Sequence, residues 1–163
     1  MVRSESKVYF FFEKKGFALN KRTLLKAFIE KLFKKEKVPL GTINYVFCSD
    51  KKLLEINKTY LKHDYYTDII SFDLSAQGLS EHGKNGLRKN KKLAEIYISV
   101  DRIRENAKKL DISFNNELHR VIFHGALHIC GYKDKKQSDR LTMRKKEDHY
   151  LVSWGFVPRG TRP

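Results

Sequence analysis

The sequence predicts a single α+β domain with about four strands in a mixed sheet and about five helices. The chain has 163 residues, which suits one compact domain. Hydrophobic residues make up 40% of the chain and aromatic residues 12%, enough to build a core. Short apolar segments rich in β-branched and aromatic residues are separated by segments of helical period. We expect residues 1–157 to form the domain and residues 158–163 a basic tail.

Four strands are predicted where aromatic and β-branched residues cluster. Their sequences are KVYFFFE, TINYVFC, IISFDL and LAEIYISV, which begin at residues 7, 42, 69 and 93. The stretch between the last two, residues 75–92, is rich in Gly, Lys and Asn and has no period. This composition predicts a flexible surface loop within the domain.

Three amphipathic helices are expected before the last third of the chain. Asn20 is predicted to cap the first, which ends near residues 36–38, before Pro39. Asp50 is predicted to cap the second, a short helix with the sequence DKKLLEINKTYL. The third, a charged helix, covers residues 100–110.

A central buried helix follows, beginning at Ser113 or Asn115. Its stretch LHRVIFHGALHIC is apolar on nearly all sides, which indicates a helix surrounded by protein. Gly131 is a suitable residue for its C-terminal end. A last helix is predicted over residues 137–154.

The charge balance favours a polyanionic partner. Lys and Arg number 34 against 19 Asp and Glu, a net charge of +15. Release of counterions from phosphates would favour nucleic acid, with a membrane surface as the weaker option. The chain contains no apolar run of about 18 residues, so the sequence predicts no transmembrane helix. The two cysteines, Cys48 and Cys130, form no disulfide framework and are expected to be buried thiols of a cytoplasmic protein.

The stretch HGALHICGYKD carries a candidate metal site. His124 and His128 are four residues apart, so they leave one helix face with Cβ atoms about 5–6 Å apart. Gly125 between them permits close approach of another backbone. After Gly131 the chain turns, and Asp134 can supply a third ligand, leaving a fourth position for water. The alternative is a chance H-x-x-x-H pattern, with two buried histidines and no metal.

A zinc protease of the H-E-x-x-H type is a weaker interpretation of the same residues. Gly125 stands where that mechanism needs a glutamate as general base. The sequence does not supply that base, and a peptidase is therefore disfavoured.

HGALHICGY resembles the signature of the YbeY family, bacterial rRNA maturation factors described as metal-dependent endoribonucleases. The family pattern is H-G-x-L-H-L-x-G-Y-D-H, and Asp134 replaces its third ligand histidine. NKTYLKHDYYTDIISF is similar to the family's N-x-x-Y-R-x-K-D-x-P-T-D-V-L-S-F, and AEIYIS to its G-D-I-x-I-S strand. Met143 and Glu147 fit the end of the pattern, and the resemblance spans about residues 7–154.

The resemblance implies a metal-dependent, single-strand-specific endoribonuclease that acts in rRNA processing and ribosome quality control. Its chemistry would use a metal-activated water or a metal-polarised phosphodiester. The cofactor is expected to be one divalent metal, zinc first, with iron(II), manganese or nickel also open because of the carboxylate of Asp134. Single-stranded RNA, rRNA and the ribosome or its small-subunit proteins are the expected partners.

One departure from the family pattern concerns RNA binding. Leu61 replaces the arginine that the family has at its active cleft, where it is implicated in RNA handling. A leucine cannot pair with a phosphate. His63 and the three lysines beside the third ligand, Lys133, Lys135 and Lys136, are the expected phosphate contacts. The alternative for all four is an ordinary solvated surface.

Two other functions stay open at this point. The protein could be a ribosome-assembly factor that binds rRNA or a small-subunit protein, with a metal that serves structure alone; Leu61 favours this alternative. It could also be a metal-dependent hydrolase of peptides or small molecules, which the net charge of +15 disfavours.

Overall fold

A computed structural model of the chain describes residues 7–75 and 91–157. The predicted class is confirmed: these residues form one α+β domain with a four-stranded sheet and five helices. In chain order, the elements are β1 (Val8–Phe12), α1 (Arg22–Lys35), β2 (Leu40–Cys48), α2 (Asp50–Leu61), β3 (Ile69–Asp73), β4 (Lys92–Ser99), α3 (Val100–Leu110), α4 (Phe114–Ile129) and α5 (Gln137–Trp154).

Two predicted segments are not covered by this description. Residues 76–90 of the predicted loop 75–92 lie outside the described residues, as does the predicted tail at 158–163. Among the helices that the structure describes, none is long and apolar enough to cross a membrane.

The sheet is mixed, with the strand order β1-β2-β4-β3. β1 and β2 are parallel, β2 and β4 are parallel, and β3 runs antiparallel to β4. The register places Tyr45 of β2 between Phe10 of β1 and Ile96 of β4. Because paired residues project to the same side of a sheet, these three side chains share one face.

Helices cover both faces of the sheet. α1 packs on β1 and β2, and α4 packs on β3 and β4, over the face that carries Tyr45. The Tyr45 hydroxyl donates to the backbone oxygen of Ile122 in α4 at 2.9 Å, which satisfies a fully buried polar group. α2 lies on the opposite face, over a smaller cluster of Cys48, Leu53, Ile56 and Ile70.

α4 is the predicted central buried helix. Its fully or almost fully buried apolar residues are Leu118, Val121, Ile122, Phe123, Ala126, Leu127 and Ile129. They surround the helix on most sides, because α1, α3, α5 and the sheet all contact it. The polar residues of α4 lie mainly on the side that faces α5.

Gly125 sets how closely α4 approaches the sheet. A Cβ at this position would lie 2.9 Å from Cδ1 of Ile69 and 3.0 Å from Cδ1 of Ile96. The expected close approach is thus confirmed, but its partners are side chains of β3 and β4 and not a backbone. Since His124 is the preceding residue, the same contact fixes the depth at which the histidine pair sits.

The predicted caps of the first two helices are wrong. Lys21, not Asn20, is the N-cap of α1, with φ 53° and no hydrogen bond from its side chain. Ser49, not Asp50, caps α2, and its hydroxyl accepts from the backbone nitrogen of Lys52 at 3.2 Å. Two adjacent polar residues can both serve as caps, and the side chain that reaches the free backbone N–H decides between them.

The ends of α4 follow the prediction. Of its two candidate caps, Ser113 is the one used, and its hydroxyl accepts from the backbone nitrogen of Asn116 at 3.1 Å. Cys130 is the C-cap, and Gly131 follows with φ 107°, a conformation that glycine adopts readily. The chain leaves the helix there and turns toward α5.

Both cysteines are free thiols. Cys48 is fully buried and Cys130 partly buried. Burial raises the pKa of each thiol to about 12. The thiols are therefore protonated at neutral pH, as expected for cysteines that pack as small apolar residues.

Replacing Gly125 tests the packing of α4 on the sheet. We expect Gly125→Val to lower the free energy of unfolding by about 1–3 kcal/mol, because the added carbons overpack a closed interface. Gly125→Ala should lower it less, since its single methyl meets three side-chain methyl groups of two isoleucines, which can shift by a few tenths of an ångström. Urea denaturation of the three proteins measures both effects. A valine variant as stable as the wild type would contradict this account of the interface.

Candidate metal centre

The three predicted ligands come together beside α5. His124 and His128 project from one face of α4, with their Nε2 atoms 2.9 Å apart. Asp134 lies in the turn that follows α4, and its Oδ2 is 3.2 Å from Nε2 of His128 and 3.4 Å from Nε2 of His124. One nitrogen or oxygen atom from each residue lies within 4.8 Å of the others, so the group could hold a metal ion.

The other ring nitrogen of each histidine is held by a hydrogen-bond acceptor. Nδ1 of His128 is 2.9 Å from the backbone oxygen of Tyr132, and Nδ1 of His124 is 2.5 Å from Oε1 of Glu147. A carbonyl oxygen and a carboxylate only accept hydrogen bonds, so both Nδ1 atoms carry the hydrogen. In each neutral ring, Nε2 therefore presents a lone pair.

The three groups direct electron-pair donors at one place. Nε2 of His124, Nε2 of His128 and an oxygen of Asp134 face one another, and each Nδ1 is held by an acceptor outside this space. A cation between them would bind all three groups at once. Two imidazoles and a carboxylate are ligands that zinc and other first-row divalent metals bind. The donor set therefore fits a metal ion.

Glu147 orients His124 from α5. Its side chain is buried, with 6% of the residue exposed. Burial alone would raise the pKa of Glu147, but the hydrogen bond from His124 and the charge of Arg120 outweigh it and lower that pKa. The group is thus ionised at neutral pH and accepts from the imidazole, the kind of outer contact that fixes a metal-binding histidine.

Arg120 joins three buried or partly buried carboxylates. Its guanidinium forms a two-pronged contact with Glu117, at 3.0 Å from Nε and 2.7 Å from Nη2. It also lies 3.4 Å from Glu147 and 3.6 Å from Asp68. Asp68 belongs to the TDIISF segment that resembles the family pattern. That segment therefore reaches the centre through the chain Asp68, Arg120, Glu147 and His124.

A second cluster supports His128 through Tyr132. Glu36, the C-cap of α1, accepts hydrogen bonds from the hydroxyls of Tyr132 and Tyr150, at 2.7 and 2.5 Å, and from Lys146 at 2.9 Å. Burial would raise the pKa of Glu36, but these hydrogen bonds outweigh it and lower that pKa. The cluster ties α1 and α5 to the residue whose carbonyl holds His128.

Two of the three candidate ligands, His124 and Asp134, open onto a cleft of about 190 Å³. Its lining residues are His124, Asp134, Arg140, Met143, Arg144 and Glu147. The predicted phosphate contacts Lys133, Lys135 and Lys136 are exposed in the adjoining turn but do not line this cleft.

His63 lies in the loop after α2 and does not line the cleft. Its Nδ1 is 2.9 Å from the hydroxyl of Tyr65, and the two rings stack with centroids 5.1 Å apart. His63 is thus engaged with a neighbouring aromatic ring, and its predicted contact with RNA stays a prediction.

Sequence reasoning gave no role to Glu117 and Arg120, and it noted Glu147 only as fitting the family pattern. Arg120 and Glu117 are charges within an otherwise apolar helix, and Glu147 lies on the side of α5 that buries Met143 and Tyr150. Charged residues at such core positions need partners, so their presence in the sequence could have indicated a buried charged network. The sequence pattern does not say which of these residues pair with one another.

The Glu36 cluster generates a prediction about stability and pH. We expect Glu36→Gln to lower the free energy of unfolding at pH 7 by about 1.5–3 kcal/mol, because charge-assisted hydrogen bonds are lost. The folded-state pKa of Glu36 is lowered, so its stabilisation is full above the ordinary glutamate pKa of about 4.3 and is lost as the pH falls through the folded value. The difference between wild type and variant should therefore shrink in acid.

Urea denaturation between pH 7 and pH 3 measures this difference. Glu55→Gln, at an exposed position on α2, is the matched control and should change little. A difference for Glu36→Gln that is independent of pH would contradict the role of the ionised carboxylate.

The chain is similar to known proteins over most of its length. A family model described as endoribonuclease YbeY matches residues 11–155. An endoribonuclease YbeY of Cytophaga hutchinsonii is 41% identical over 147 residues, which cover 90% of this chain and 95% of the relative. An endoribonuclease YbeY of Flavobacterium psychrophilum is 52% identical over 111 residues, covering 68% of this chain and 71% of the relative.

A solved structure has the same fold. The solution structure of TM1509 from Thermotoga maritima is similar to this chain with a TM-score of 0.53 and 25% sequence identity, covering 95% of this chain and 99% of that protein. The resemblance seen in the sequence motifs is thus confirmed by comparisons over most of the chain. On the family match and on these identities, the chain belongs to the endoribonuclease YbeY family.

Proposed function

We propose that this protein is a metal-dependent endoribonuclease that cleaves single-stranded RNA in rRNA maturation and ribosome quality control. One observation carries the proposal: Nε2 of His124, Nε2 of His128 and a carboxylate oxygen of Asp134 converge while both Nδ1 atoms are held elsewhere. The name shared by the relatives, endoribonuclease YbeY, supports RNA as the substrate.

His124, His128 and Asp134 would hold one divalent metal ion. When bound, such an ion polarises a phosphodiester oxygen and lowers the pKa of a water molecule at an open position. Zinc suits two imidazoles and a carboxylate, and iron(II), manganese and nickel suit them too. The carboxylate adds a negative charge that a third histidine would not, which makes the centre less electrophilic than a three-histidine site.

The residues around the ligands would keep the two imidazoles in place. Glu147 and the carbonyl of Tyr132 fix the ring orientations, so that both Nε2 atoms point at one place before any ion arrives. The hydrogen bond from His124 and the charge of Arg120 lower the pKa of Glu147 and keep it ionised. A ligand set held in this way binds metal without reordering its side chains.

RNA binding would use the basic surface next to the centre. The net charge of +15 supports a phosphate-rich ligand. Lys133, Lys135 and Lys136 flank Asp134 and are exposed, so they are proposed to hold phosphates beside the metal. His63 is proposed to contact RNA farther from the centre. The rRNA substrate would place the protein with the ribosome and its small-subunit proteins in the cytoplasm.

Removing single ligands tests the metal centre. We expect wild-type protein to contain close to one equivalent of metal, and His128→Ala and Asp134→Ala to lose it together with cleavage of single-stranded RNA, because two ligands bind a divalent ion far more weakly than three. Elemental mass spectrometry and a cleavage assay on the same samples measure both. His149→Ala, an exposed histidine of α5 outside the cleft, is the control.

Other outcomes would favour other functions. Metal that is lost only in His128→Ala would show that Asp134 is not a ligand. Wild-type protein that binds RNA and metal without cleaving RNA would favour the assembly factor with a structural metal. Absence of metal from protein purified without chelator would remove the proposed centre.

Glu147→Gln tests the support of His124. We expect the affinity for zinc to fall by about 10- to 100-fold, because the amide lacks the charge that strengthens the hydrogen bond from Nδ1. Titration against a competing chelator measures the dissociation constant. Glu105→Gln, at an exposed position on α3, is the control. An unchanged zinc affinity would show that Glu147 does not support the ligand.

A further inference from the structure

One face of α5 borders the cleft opposite the candidate ligands. Arg140, Met143, Arg144 and Glu147 line the cleft and follow the spacing i, i+3, i+4 and i+7, which places them on one side of a helix. Met143 and Glu147 are buried, with 2% and 6% exposed, whereas the two arginines are exposed. Two cationic side chains therefore border the same small space as His124 and Asp134.

The two arginines differ in their contacts. Nη1 of Arg140 donates to the backbone oxygen of Lys135 at 2.7 Å, so this side chain braces the turn that carries Asp134. Arg144 makes no hydrogen bond or ion pair with any other residue in the described ranges 7–75 and 91–157. Its guanidinium keeps all five N–H groups available for another partner.

The carboxylates that line the cleft are already engaged. Glu147 accepts from His124 and lies against Arg120, and Asp134 faces the two histidines. A cation bound by the two histidines and Asp134 would engage the Asp134 carboxylate as a ligand. Arg144 is thus a permanent positive charge in a cleft where no lining carboxylate is free to pair with it.

We propose that Arg144 binds a phosphate group of the RNA substrate at the open side of the metal centre. This inference rests on the proposed function, which supplies RNA as the ligand. A phosphodiester presents two non-bridging oxygens that match the planar fork of a guanidinium. Because Arg144 lines one cleft of about 190 Å³ together with two of the candidate ligands, His124 and Asp134, a phosphate that enters it faces the arginine and the centre.

The position of Leu61 strengthens this assignment. The side chain that replaces the family's arginine is a leucine at the end of α2, with 41% of the residue exposed. It can make no charged contact with RNA. Arg144 would supply a cation to the same reaction from α5 in place of α2.

The test compares three variants. Arg144→Ala removes the guanidinium, and Arg144→Lys keeps the charge without the fork. Lys145→Ala is the matched control, because Lys145 is the next residue of α5, is exposed, carries the same charge and does not line the cleft. Metal content, kcat/KM for a fluorescent single-stranded RNA oligonucleotide, and binding of that oligonucleotide to metal-free protein in EDTA are measured for each.

We expect Arg144→Ala to keep its metal and to lose about 10- to 100-fold in kcat/KM, the effect of removing a charge-assisted hydrogen bond. Arg144→Lys should lose less. In EDTA, the slope of log K against log salt should fall by about 0.7 for Arg144→Ala, as one phosphate contact is lost. Lys145→Ala should change each quantity far less.

Three results would overturn the assignment. Equal effects of Arg144→Ala and Lys145→Ala would show that only overall charge matters, and no effect of either would show that Arg144 makes no contact. Loss of metal from Arg144→Ala would show that the arginine supports the centre and not the RNA. If wild-type protein fails to cleave RNA, the proposed function fails, and the salt dependence of RNA binding in EDTA decides the role of Arg144 by itself. A slope that falls for Arg144→Ala and not for Lys145→Ala supports the phosphate contact of Arg144. Equal slopes for the two variants reject that contact.

Discussion

The buried guanidinium of Arg120 is the interaction on which the arrangement of this protein's centre depends. Its three carboxylate partners are Glu117 of α4, Glu147 of α5 and Asp68, the residue before β3. Burial of these carboxylates without a cation would be very unfavourable. With Arg120 between them, Glu147 stays ionised and accepts from His124. One charge therefore joins three parts of the chain and sets the direction of an imidazole.

α5 contributes to the centre along two of its edges. Its buried side provides Glu147 for His124, and Lys146 and Tyr150 for the Glu36 cluster that holds Tyr132 and, through its carbonyl, His128. Its exposed side presents arginines to the same cleft. Orientation of the ligands and attraction of an anion are thus properties of a single helix, and a shift of α5 would alter both together.

The central helix and its two candidate histidine ligands could be predicted from the sequence, because the residues that indicate them are close together in the chain. The spacing of His124 and His128, the glycine that ends α4 and the apolar character of that helix all lie within one short stretch. The pairing of Arg120 with Glu147 could not be predicted, since it joins positions 27 residues apart on different helices. The sequence also could not show that Ser49 and not Asp50 caps α2. Both residue types are good caps, and the three-dimensional contacts determine which one is used.

The third candidate ligand differs from the other two in its surroundings. His124 and His128 extend from a packed helix and are 15% and 27% exposed, whereas the Asp134 side chain lies on a turn and is 40% exposed. A turn accepts side chains of different size and charge without disturbing a core. The fold therefore tolerates either a histidine or an aspartate at this place, while the two helical positions are tied to the packing of α4.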